Sequence, residues 1–359
     1  MDFAFTKLKS LDGPILITGH TGFKGTWLTL LLREMGIATV GLSLPAEKES
    51  LYNRMARQGS IPEEFLDIND RALTLKCVKS FAPAVVVHLA AQPIVRDSYL
   101  HPVETFSTNV LGTAHVLDAC MKVKSVKAVG VVTTDKVYRN EESGIPFKET
   151  DPLGGKDPYS ASKSATESVV AAWQEIAKNE SGPRIVSLRA GNVIGGGDFA
   201  PDRLLPDLIR AVSLKKSLIV RNPLSTRPWQ HVLDSLFGYL LAVEYSLREP
   251  SFSDFNFGPA EKSLEVREVL NVAQDFLGSR LQIQFQQDES SNNRESVQLQ
   301  LDSSRARKHL GWNQCWSQKS AVLSTLKWWI NLESGAASID ELCASEIRQR
   351  LGLREIHDE

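Results

Sequence analysis

A tyrosine and a lysine stand four residues apart at the start of a helix-like segment, at Tyr159 and Lys163. Residues at this spacing project from one face of a helix, so the lysine ammonium can lie beside the phenol. A neighbouring positive charge favours the phenolate and lowers the pKa of a tyrosine from its reference of about 10. Such a group can remove a hydroxyl proton during hydride transfer. The same spacing also occurs on ordinary helix surfaces, so the pair alone does not establish a site.

A polar segment, Thr133-Thr134-Asp135-Lys136, directly follows an apolar run that is typical of a buried strand. In proteins with an open parallel sheet, ligands bind beyond the carboxyl ends of the strands. The segment therefore lies where a substrate would bind, one strand–helix unit before Tyr159. The alternative for Asp135 and Lys136 is an exposed ion pair, worth roughly 0 to 1 kcal/mol of stability.

Three glycines, Gly19, Gly22 and Gly25, occur at GxxGxxG spacing between an apolar run and a helix-like segment. Small residues let the backbone approach a pyrophosphate, and a helix N-terminus favours its negative charge. The spacing alone is a weak signal, because glycines at a strand–helix turn can serve packing. The strand–turn–helix context makes a dinucleotide site the better interpretation.

The residues that follow leave the choice between NAD and NADP open. The second strand ends in Gly41-Leu-Ser-Leu44, without the acidic residue that usually holds the adenosine ribose. Lys24, inside the glycine loop, either meets a 2′-phosphate or lies in solvent. Asp67 and Ile68 follow the next apolar segment, where Asp67 either contacts adenine or forms a turn.

Short Val-rich runs alternate with helix-like segments along the first half of the chain. This alternation predicts a doubly wound parallel sheet of the Rossmann type, an α/β fold with helices on both faces. The expected strands are Pro14–Ile17, Ala38–Leu42, Ala84–His88, Ala128–Val132 and Arg184–Arg189. The expected helices are Thr26–Met35, Glu104–Met121 and Pro158–Lys178. Beyond Ala190 the pattern changes, which indicates a smaller second domain that covers the substrate.

The composition argues against several classes of protein. With 359 residues, 42% apolar and 23% charged, the chain can form one large or two joined domains. A net charge of -2 gives no reason to expect nucleic acid or an anionic membrane as a partner. No segment approaches the ~18 apolar residues of a membrane span, and the N-terminus lacks the apolar run of a signal peptide. The scattered cysteines and histidines predict no metal site and a reducing, cytoplasmic location.

Longer motifs connect these features to a known family. The segments TGHTGFKG (18–25), HLAA (88–91), TNVLG (108–112) and YSASK (159–163) resemble the extended short-chain dehydrogenase/reductases. Within that family the chain most resembles the CDP-glucose 4,6-dehydratases, through AAQPIVRDSY, TTDKVY, DPLGGKDPYSASK, RAGNVIGGGDFAPDRLLPDLIRA and RNPLSTRPWQHVLDSL. The resemblance spans most of the chain.

The resemblance implies a fold, a cofactor and an assembly. It predicts an NAD-binding Rossmann domain over residues 1–190, to which segments after residue 231 can return. It also predicts a smaller α/β nucleotide-sugar domain over residues 191–359, tightly held NAD, and a homodimer formed through helices of the Rossmann half. The implied cofactor contacts are Gly19, Thr21, Gly22, Phe23, Lys24, Gly25, Asp67, Ile68, Leu89, Ala90, Ala91, Asn109, Tyr159 and Lys163. The implied substrate contacts are Asn192, Arg203, Leu204, Arg227 and Glu295.

The implied reaction converts CDP-glucose to CDP-4-keto-6-deoxyglucose without net oxidation. Tyr159 removes the O4 proton while hydride leaves C4 for NAD, Lys163 holds the nicotinamide ribose, and Thr134 shares the hydrogen bond to O4. Asp135 then protonates the departing C6 hydroxyl, Lys136 handles the C5 proton, and hydride returns to C6. A basic Lys136 needs its pKa depressed from a reference of about 10.4.

Other functions share parts of this pattern. A nucleotide-sugar 4-epimerase uses the same tyrosine, lysine and cofactor but needs no acid and base for losing water, so Asp135 and Lys136 argue against it. A dinucleotide sensor without activity is disfavoured by the intact tyrosine, lysine and Thr134. The segment Arg139–Pro146 lacks the tryptophan-containing insert expected in close CDP-glucose dehydratases, which leaves a different nucleotide sugar open as the substrate.

Overall fold

The computed structural model describes residues 5–248, 251–286 and 298–353. The strands are β1 (Ile15–Thr18), β2 (Thr39–Ser43), β3 (Glu63–Phe65), β4 (Val85–His88), β5 (Ala128–Val132), β6 (Arg184–Ala190), β7 (Val193–Ile194), β8 (Ser217–Val220), β9 (Thr226–Arg227), β10 (Gln230–His231), β11 (Asp254–Phe257), β12 (Leu264–Glu265) and β13 (Gln282–Phe285). The α-helices are α1 (Thr6–Ser10), α2 (Phe23–Glu34), α3 (Leu51–Arg54), α4 (Arg71–Phe81), α5 (Val95–Leu100), α6 (Pro102–Phe106), α7 (Thr113–Met121), α8 (Pro158–Asn179), α9 (Leu204–Ser213), α10 (Val232–Ser246), α11 (Val266–Leu277), α12 (Ser304–Leu310), α13 (Gln318–Glu333) and α14 (Ile339–Leu351).

Within the described residues, seven parallel strands form the central sheet in the order β3-β2-β1-β4-β5-β6-β11. Every residue of β1, β2, β4 and β5 is buried, because helices cover both faces of the sheet. The strand order reverses between β1 and β4, which opens a crevice beyond their carboxyl ends. The predicted Rossmann-type, doubly wound α/β fold is confirmed.

Two segments from the second half of the chain join this sheet. Strand β11 pairs with β6, and the largely buried helix α10 packs against β5, β6 and α2. Elsewhere in the described ranges, the small sheets β7–β10, β9–β12 and β8–β13 form a smaller α/β region together with α9 and α11. The division into domains at residue 190 remains a prediction. No helix of the described ranges is long and apolar enough to cross a membrane.

Two predicted helices differ from the observed ones in ways that bear on function. Helix α2 begins at Phe23 rather than at Thr26, so its first turn lies within the glycine loop itself. The expected helix Glu104–Met121 is interrupted by a π-helical turn over Ser107–Gly112. Such turns insert an extra residue into a helix and are frequent at functional sites.

The C-terminal helix α14 is fastened to α10 by a buried ion pair. Arg350 Nε lies 3.1 Å from Asp234 Oδ1, and neither side chain is more than 8% exposed. Asp234 also accepts hydrogen bonds from the backbone N–H groups of Cys315 and Trp316, at 2.7 and 3.2 Å. The carboxylate therefore joins three separate segments, and its charge depends on Arg350 for compensation.

We expect Arg350→Ala to lower the free energy of unfolding by about 3–5 kcal/mol, because it leaves Asp234 charged and buried without its partner. The matched control is Arg348→Ala on the same helix, whose exposed pair with Glu34 spans 3.6 Å. That change should cost about 0–1 kcal/mol. Urea unfolding measures both variants, and equal losses would contradict a special role for the buried pair.

Candidate active site

The glycine loop between β1 and α2 is shaped by two close backbone approaches. Gly19 has a φ of 74°, and a Cβ there would lie 2.8 Å from the backbone nitrogen of Ala90. A Cβ on Gly25 would lie 2.1 Å from the carbonyl oxygen of Gly19. Glycine is therefore required at both positions. Gly22 precedes the first turn of α2, whose N–H groups lack partners within the helix and suit a phosphate.

The segment after β4 is held beside this loop by Thr18 at the end of β1. The Thr18 hydroxyl accepts hydrogen bonds from the backbone N–H groups of Leu89 and Ala90, both at 3.2 Å. It also lies 2.6 Å from His88 Nδ1. Burial lowers the pKa of His88 to about 3, so the imidazole stays neutral and braces the crevice. Leu89 and Ala90, and with them the adjacent Ala91, thus lie directly beside the glycine loop.

Asn109, in the π-helical turn, stabilises the site through hydrogen bonds to two of its segments. Its side-chain oxygen accepts from the backbone N–H of Gln92 at 2.9 Å, and its nitrogen donates to Ser162 Oγ at 2.9 Å. The residue is fully buried. These bonds tie the segment after β4 to the helix that carries the tyrosine and lysine, and a direct contact between Asn109 and the cofactor remains a prediction.

Three further residues of the predicted cofactor site, Thr21, Asp67 and Ile68, lie near the ends of β2 and β3. Thr21 Oγ1 lies 2.7 Å from Ser43 Oγ at the end of β2. Asp67 is exposed, and its Oδ1 accepts from the backbone N–H of Asn69 at 2.9 Å. Ile68 is buried in the core. The turn-forming alternative for Asp67 is therefore observed, while its contact with adenine stays a prediction.

Helix α8 places the tyrosine and lysine on the face that meets the sheet. Asp157 begins the helix by accepting from the backbone N–H of Ser160 at 2.9 Å, and Pro158 takes the first helical position. Tyr159 and Lys163 are both buried. Lys163 Nζ donates to the last carbonyl of β5, at 3.3 Å. Tyr159 and Lys163 therefore lie on one face of the helix, as their spacing predicts.

Burial governs the ionisation of this pair. Burial raises the pKa of Tyr159 to about 12, although a hydrogen bond with Thr134 opposes the shift. Burial lowers the pKa of Lys163 to about 8, although the Glu167 carboxylate opposes that shift. The expectation that the Tyr159 pKa lies below its reference value is wrong for this structure, because desolvation of the buried phenolate is the largest effect on it.

Asp135 and Lys136 begin a 3-10 turn just beyond β5. Thr134 Oγ1 donates to Asp135 Oδ1 at 3.0 Å. The second oxygen, Oδ2, has no hydrogen-bond partner within the described ranges and faces Gly191, where a Cβ would lie only 3.1 Å away. Asp135 is 1% exposed, and burial raises its pKa, while the charges of Lys136 and Arg227 oppose the shift. The alternative of an exposed ion pair is therefore wrong.

Lys24 follows neither of the two alternatives that its position in the loop suggests. Its Nζ donates to the Tyr239 hydroxyl of α10 at 3.1 Å. Burial lowers the pKa of Lys24 to about 7, and the charges of Arg203, Lys163 and Asp135 act on it as well. The amine therefore points into the catalytic end of the crevice rather than towards solvent or an adenosine 2′-phosphate.

Two arginines bring positive charge to the catalytic groups. Arg227 is buried and favours the ionised form of Asp135. Arg203 is more exposed, forms a 2.9 Å ion pair with Asp198 and favours the ionised form of Tyr159. Guanidinium groups at such positions suit the oxygens of a diphosphate.

The remaining predicted substrate residues lie in neighbouring segments or outside the structure. Asn192 is half-buried and directly follows Gly191, which faces Asp135. Leu204 is the first residue of α9, next to Arg203. Glu295 lies outside the described residues, so its predicted contact with the nucleotide remains a prediction.

The sequence analysis missed a buried carboxylate behind the catalytic residues. Glu167 Oε1 accepts from Thr133 Oγ1 at 2.5 Å and from Ser187 Oγ at 2.7 Å. Arg189 donates to both carboxylate oxygens, at 3.0 and 2.8 Å. One signal was available, since Glu167 stands four residues after Lys163, on the helix face that meets the sheet.

The site suits a dinucleotide better than a metal ion. The glycine loop presents the first N–H groups of α2, and the small and apolar residues Leu89, Ala90 and Ala91 pack beside the loop. Among the described residues, no group of three or more His, Cys, Asp or Glu side chains is placed to hold a metal. The loop would hold the pyrophosphate, and Lys163 the ribose beside Tyr159.

Comparisons with known proteins agree with this geometry. The model of the NAD dependent epimerase/dehydratase family matches residues 15–258. A CDP-glucose 4,6-dehydratase of Salmonella typhimurium (strain LT2) is 39% identical over 331 residues, which cover 89% of this chain and 92% of that protein. A UDP-glucose 4-epimerase of Halalkalibacterium halodurans is 27% identical, with 83% and 90% covered. The solved structure of MoeE5 in complex with UDP-glucuronic acid and NAD is 25% identical, with a TM-score of 0.76 and coverage of 89% and 100%.

Proposed function

Because the chain belongs to the NAD dependent epimerase/dehydratase family, we propose that it is an NAD-dependent hydro-lyase that converts CDP-glucose to CDP-4-keto-6-deoxyglucose. The observation that carries this choice within the family is Asp135. Its carboxyl group is buried at the carboxyl end of β5, with one oxygen unpartnered towards the crevice. Losing water from C6 requires an acid at such a position, whereas a 4-epimerisation does not.

The first part of the reaction is the oxidation at C4, which uses Tyr159, Lys163 and Thr134. The glycine loop and Lys163 would hold NAD, which would take up the hydride from C4 and supply it to C6. Tyr159 removes the O4 proton, and the hydrogen bond between Thr134 and the phenol supports the phenolate against the effect of burial. Lys163, whose Nζ is fixed to the end of β5, follows Tyr159 by one helical turn, where its ammonium would favour the phenolate. The product is a ketone at C4.

The second part of the reaction is the loss of water from C5 and C6, which uses Asp135 and Lys136. A ketone at C4 makes the C5 proton acidic, so a base can remove it while the C6 hydroxyl leaves. Burial raises the pKa of Asp135 and so favours the protonated carboxyl that can give its proton to O6. Lys136, half-buried in the same turn, takes the C5 proton and later returns it.

The choice of CDP-glucose rests on the relative that is 39% identical. Arg203 and Arg227 border the catalytic groups from the side of α9 and β9, where they can bind the diphosphate. The segment Arg139–Pro146, beside the 3-10 turn, is the part of the chain where a different sugar would be accommodated. The experiment that tests the proposed function therefore compares several nucleotide sugars.

Mass spectrometry of the holoenzyme with CDP-, UDP-, GDP- and dTDP-glucose tests this function. We expect loss of one water from CDP-glucose alone. Asp135→Asn should slow that loss by about 10²–10⁴-fold, because the amide cannot protonate O6. The control, Asp118→Asn, changes a surface carboxylate that pairs with Lys122 and Arg71, and should act like the wild type. An isomer of unchanged mass would instead identify an epimerase.

We further propose a homodimer that forms through the helices after β4. Leu100 and Val103 are 75% and 76% exposed, and Tyr99, Phe106 and Leu111 extend the same apolar surface along α5, α6 and the π-helical turn. An exposed apolar patch of this kind marks an interaction site more often than a solvated surface. Two copies related by a two-fold axis would bury it symmetrically.

We expect Val103→Glu to give a monomer in size-exclusion chromatography with light scattering, because it places a charge inside the proposed interface. The matched control is Leu214→Glu, since Leu214 is similarly exposed at the end of α9, away from this surface. A dimer that persists in Val103→Glu, or a wild type that is monomeric, would contradict the assignment.

A cytoplasmic location is part of the same proposal. The four cysteines are free thiols, and three of them, Cys77, Cys120 and Cys343, are buried. Burial raises the pKa of Cys120 to about 12, so that thiol stays protonated and unreactive. Free thiols of this kind suit a reducing compartment.

A further inference from the structure

Asp198 is a buried carboxylate for which the proposed reaction gives no role. It directly follows the glycine tract at residues 195–197 and is 5% exposed. Its Oδ2 accepts a hydrogen bond from Arg203 Nη1 at 2.9 Å, and its Oδ1 accepts from the backbone N–H of Ala200 at 3.1 Å. Both carboxylate oxygens therefore have partners, and one partner is an arginine that can bind the diphosphate of the substrate.

Aromatic residues fix the backbone on both sides of Asp198. Trp27 Nε1, on α2, donates to the carbonyl oxygen of Gly196 at 3.0 Å. The ring of Trp329, on α13, meets the Phe199 ring at an interplanar angle of 81°, with the centroids 4.9 Å apart. Because α2 begins within the glycine loop, the position of Asp198 depends on the helix that the cofactor would bind.

The Arg203 side chain depends on Asp198 for its orientation. Arg203 directly precedes α9 and its side chain is 34% exposed. Among the described residues, Asp198 supplies the one hydrogen bond of the guanidinium, which leaves its other N–H donors for a ligand. A long side chain loses rotamer freedom when it binds a ligand, and holding it in place beforehand removes part of that cost.

We propose that Asp198 is a positioning residue that directs the Arg203 guanidinium towards the diphosphate of the nucleotide sugar. This inference rests on the proposed function, in which Arg203 binds that diphosphate. The Asp198 carboxylate has two opposite effects on such a ligand. Its negative charge repels the diphosphate, whereas its hydrogen bond holds the arginine that attracts it. Positioning requires that the second effect is the larger one.

Titration calorimetry of the NAD-loaded enzyme with CDP tests this balance, because CDP carries the diphosphate but has no sugar to react. We expect Asp198→Asn to weaken CDP binding by about 10-fold, although the change removes a negative charge. Asp198→Ser, which is too short to reach Arg203, should weaken binding to a similar extent. The matched control is Asp207→Asn, which removes a carboxylate that pairs with Arg210 on α9. The control should bind CDP as tightly as the wild type or slightly more tightly.

Two further measurements separate positioning from a general structural role. If Asp198 acts through the arginine, Asp198→Asn should cause no further loss of CDP binding in an Arg203→Ala background. In the Asp198→Asn enzyme, KM for CDP-glucose should rise by about 10-fold while kcat changes little, because a lost binding contact affects ground state and transition state alike. The unfolding midpoint and the content of bound NAD verify that each variant is intact.

Two results would overturn the positioning role: CDP affinity in Asp198→Asn equal to that of the wild type, or a loss of the same size in the Arg203→Ala background. Failure of the proposed function is visible in the wild type instead. A wild type that binds UDP, GDP or dTDP in preference to CDP has a different substrate, and the variants are then titrated with that diphosphate. A wild type that binds none of the four removes the basis of the positioning role as well.

Discussion

The carboxylate of Glu167 fixes the catalytic helix to the carboxyl ends of two central strands. It accepts a hydrogen bond from Thr133, at the end of β5, and is paired with Arg189 on β6, with all three side chains buried. A buried carboxylate of this kind is stable only while its partners remain in place, since removal of one leaves an uncompensated charge. Tyr159 and Lys163 lie on the same helix, within its first two turns. Their distance from the strand ends therefore depends on this one set of contacts, as does the position of the segment that follows Thr133.

Burial sets the chemistry of the groups that this arrangement brings together. It disfavours the ionised forms of three of these groups, because it raises the pKa of Asp135 and of Tyr159 and lowers the pKa of Lys163. A raised pKa lets the Asp135 carboxyl keep its proton and act as an acid. A lowered pKa lets the Lys163 amine lose its proton more easily. The phenol is the exception, because it must ionise to act. The hydrogen bond with Thr134 and the positive charge of Arg203 are the contributions that favour its phenolate.

Periodicity and local composition were sufficient to predict the central sheet, because its strands are continuous apolar runs that only a sheet covered on both faces can bury. The YxxxK and glycine-loop motifs also placed Tyr159, Lys163 and Gly19 in the crevice, since both lie next to strand ends. Contacts between distant segments were not predictable. Lys24 reaches Tyr239 on α10, and Glu167 reaches Arg189 on β6, and neither pair has a local signal that names its partner. The pKa of a tyrosine likewise depends on desolvation, and the burial that causes it cannot be read from the sequence.

In the proposed reaction, one crevice oxidises C4, removes water from C5 and C6, and reduces C6 with the same hydride. CDP-glucose that carries deuterium at C4 tests this most directly, with the product analysed by mass spectrometry and by NMR. We expect the deuterium to appear at C6 of the 4-keto-6-deoxy product, because the hydride that leaves C4 is the one that returns to C6. Deuterium that is lost to the solvent, or that remains at C4 of an isomer of unchanged mass, would contradict this transfer.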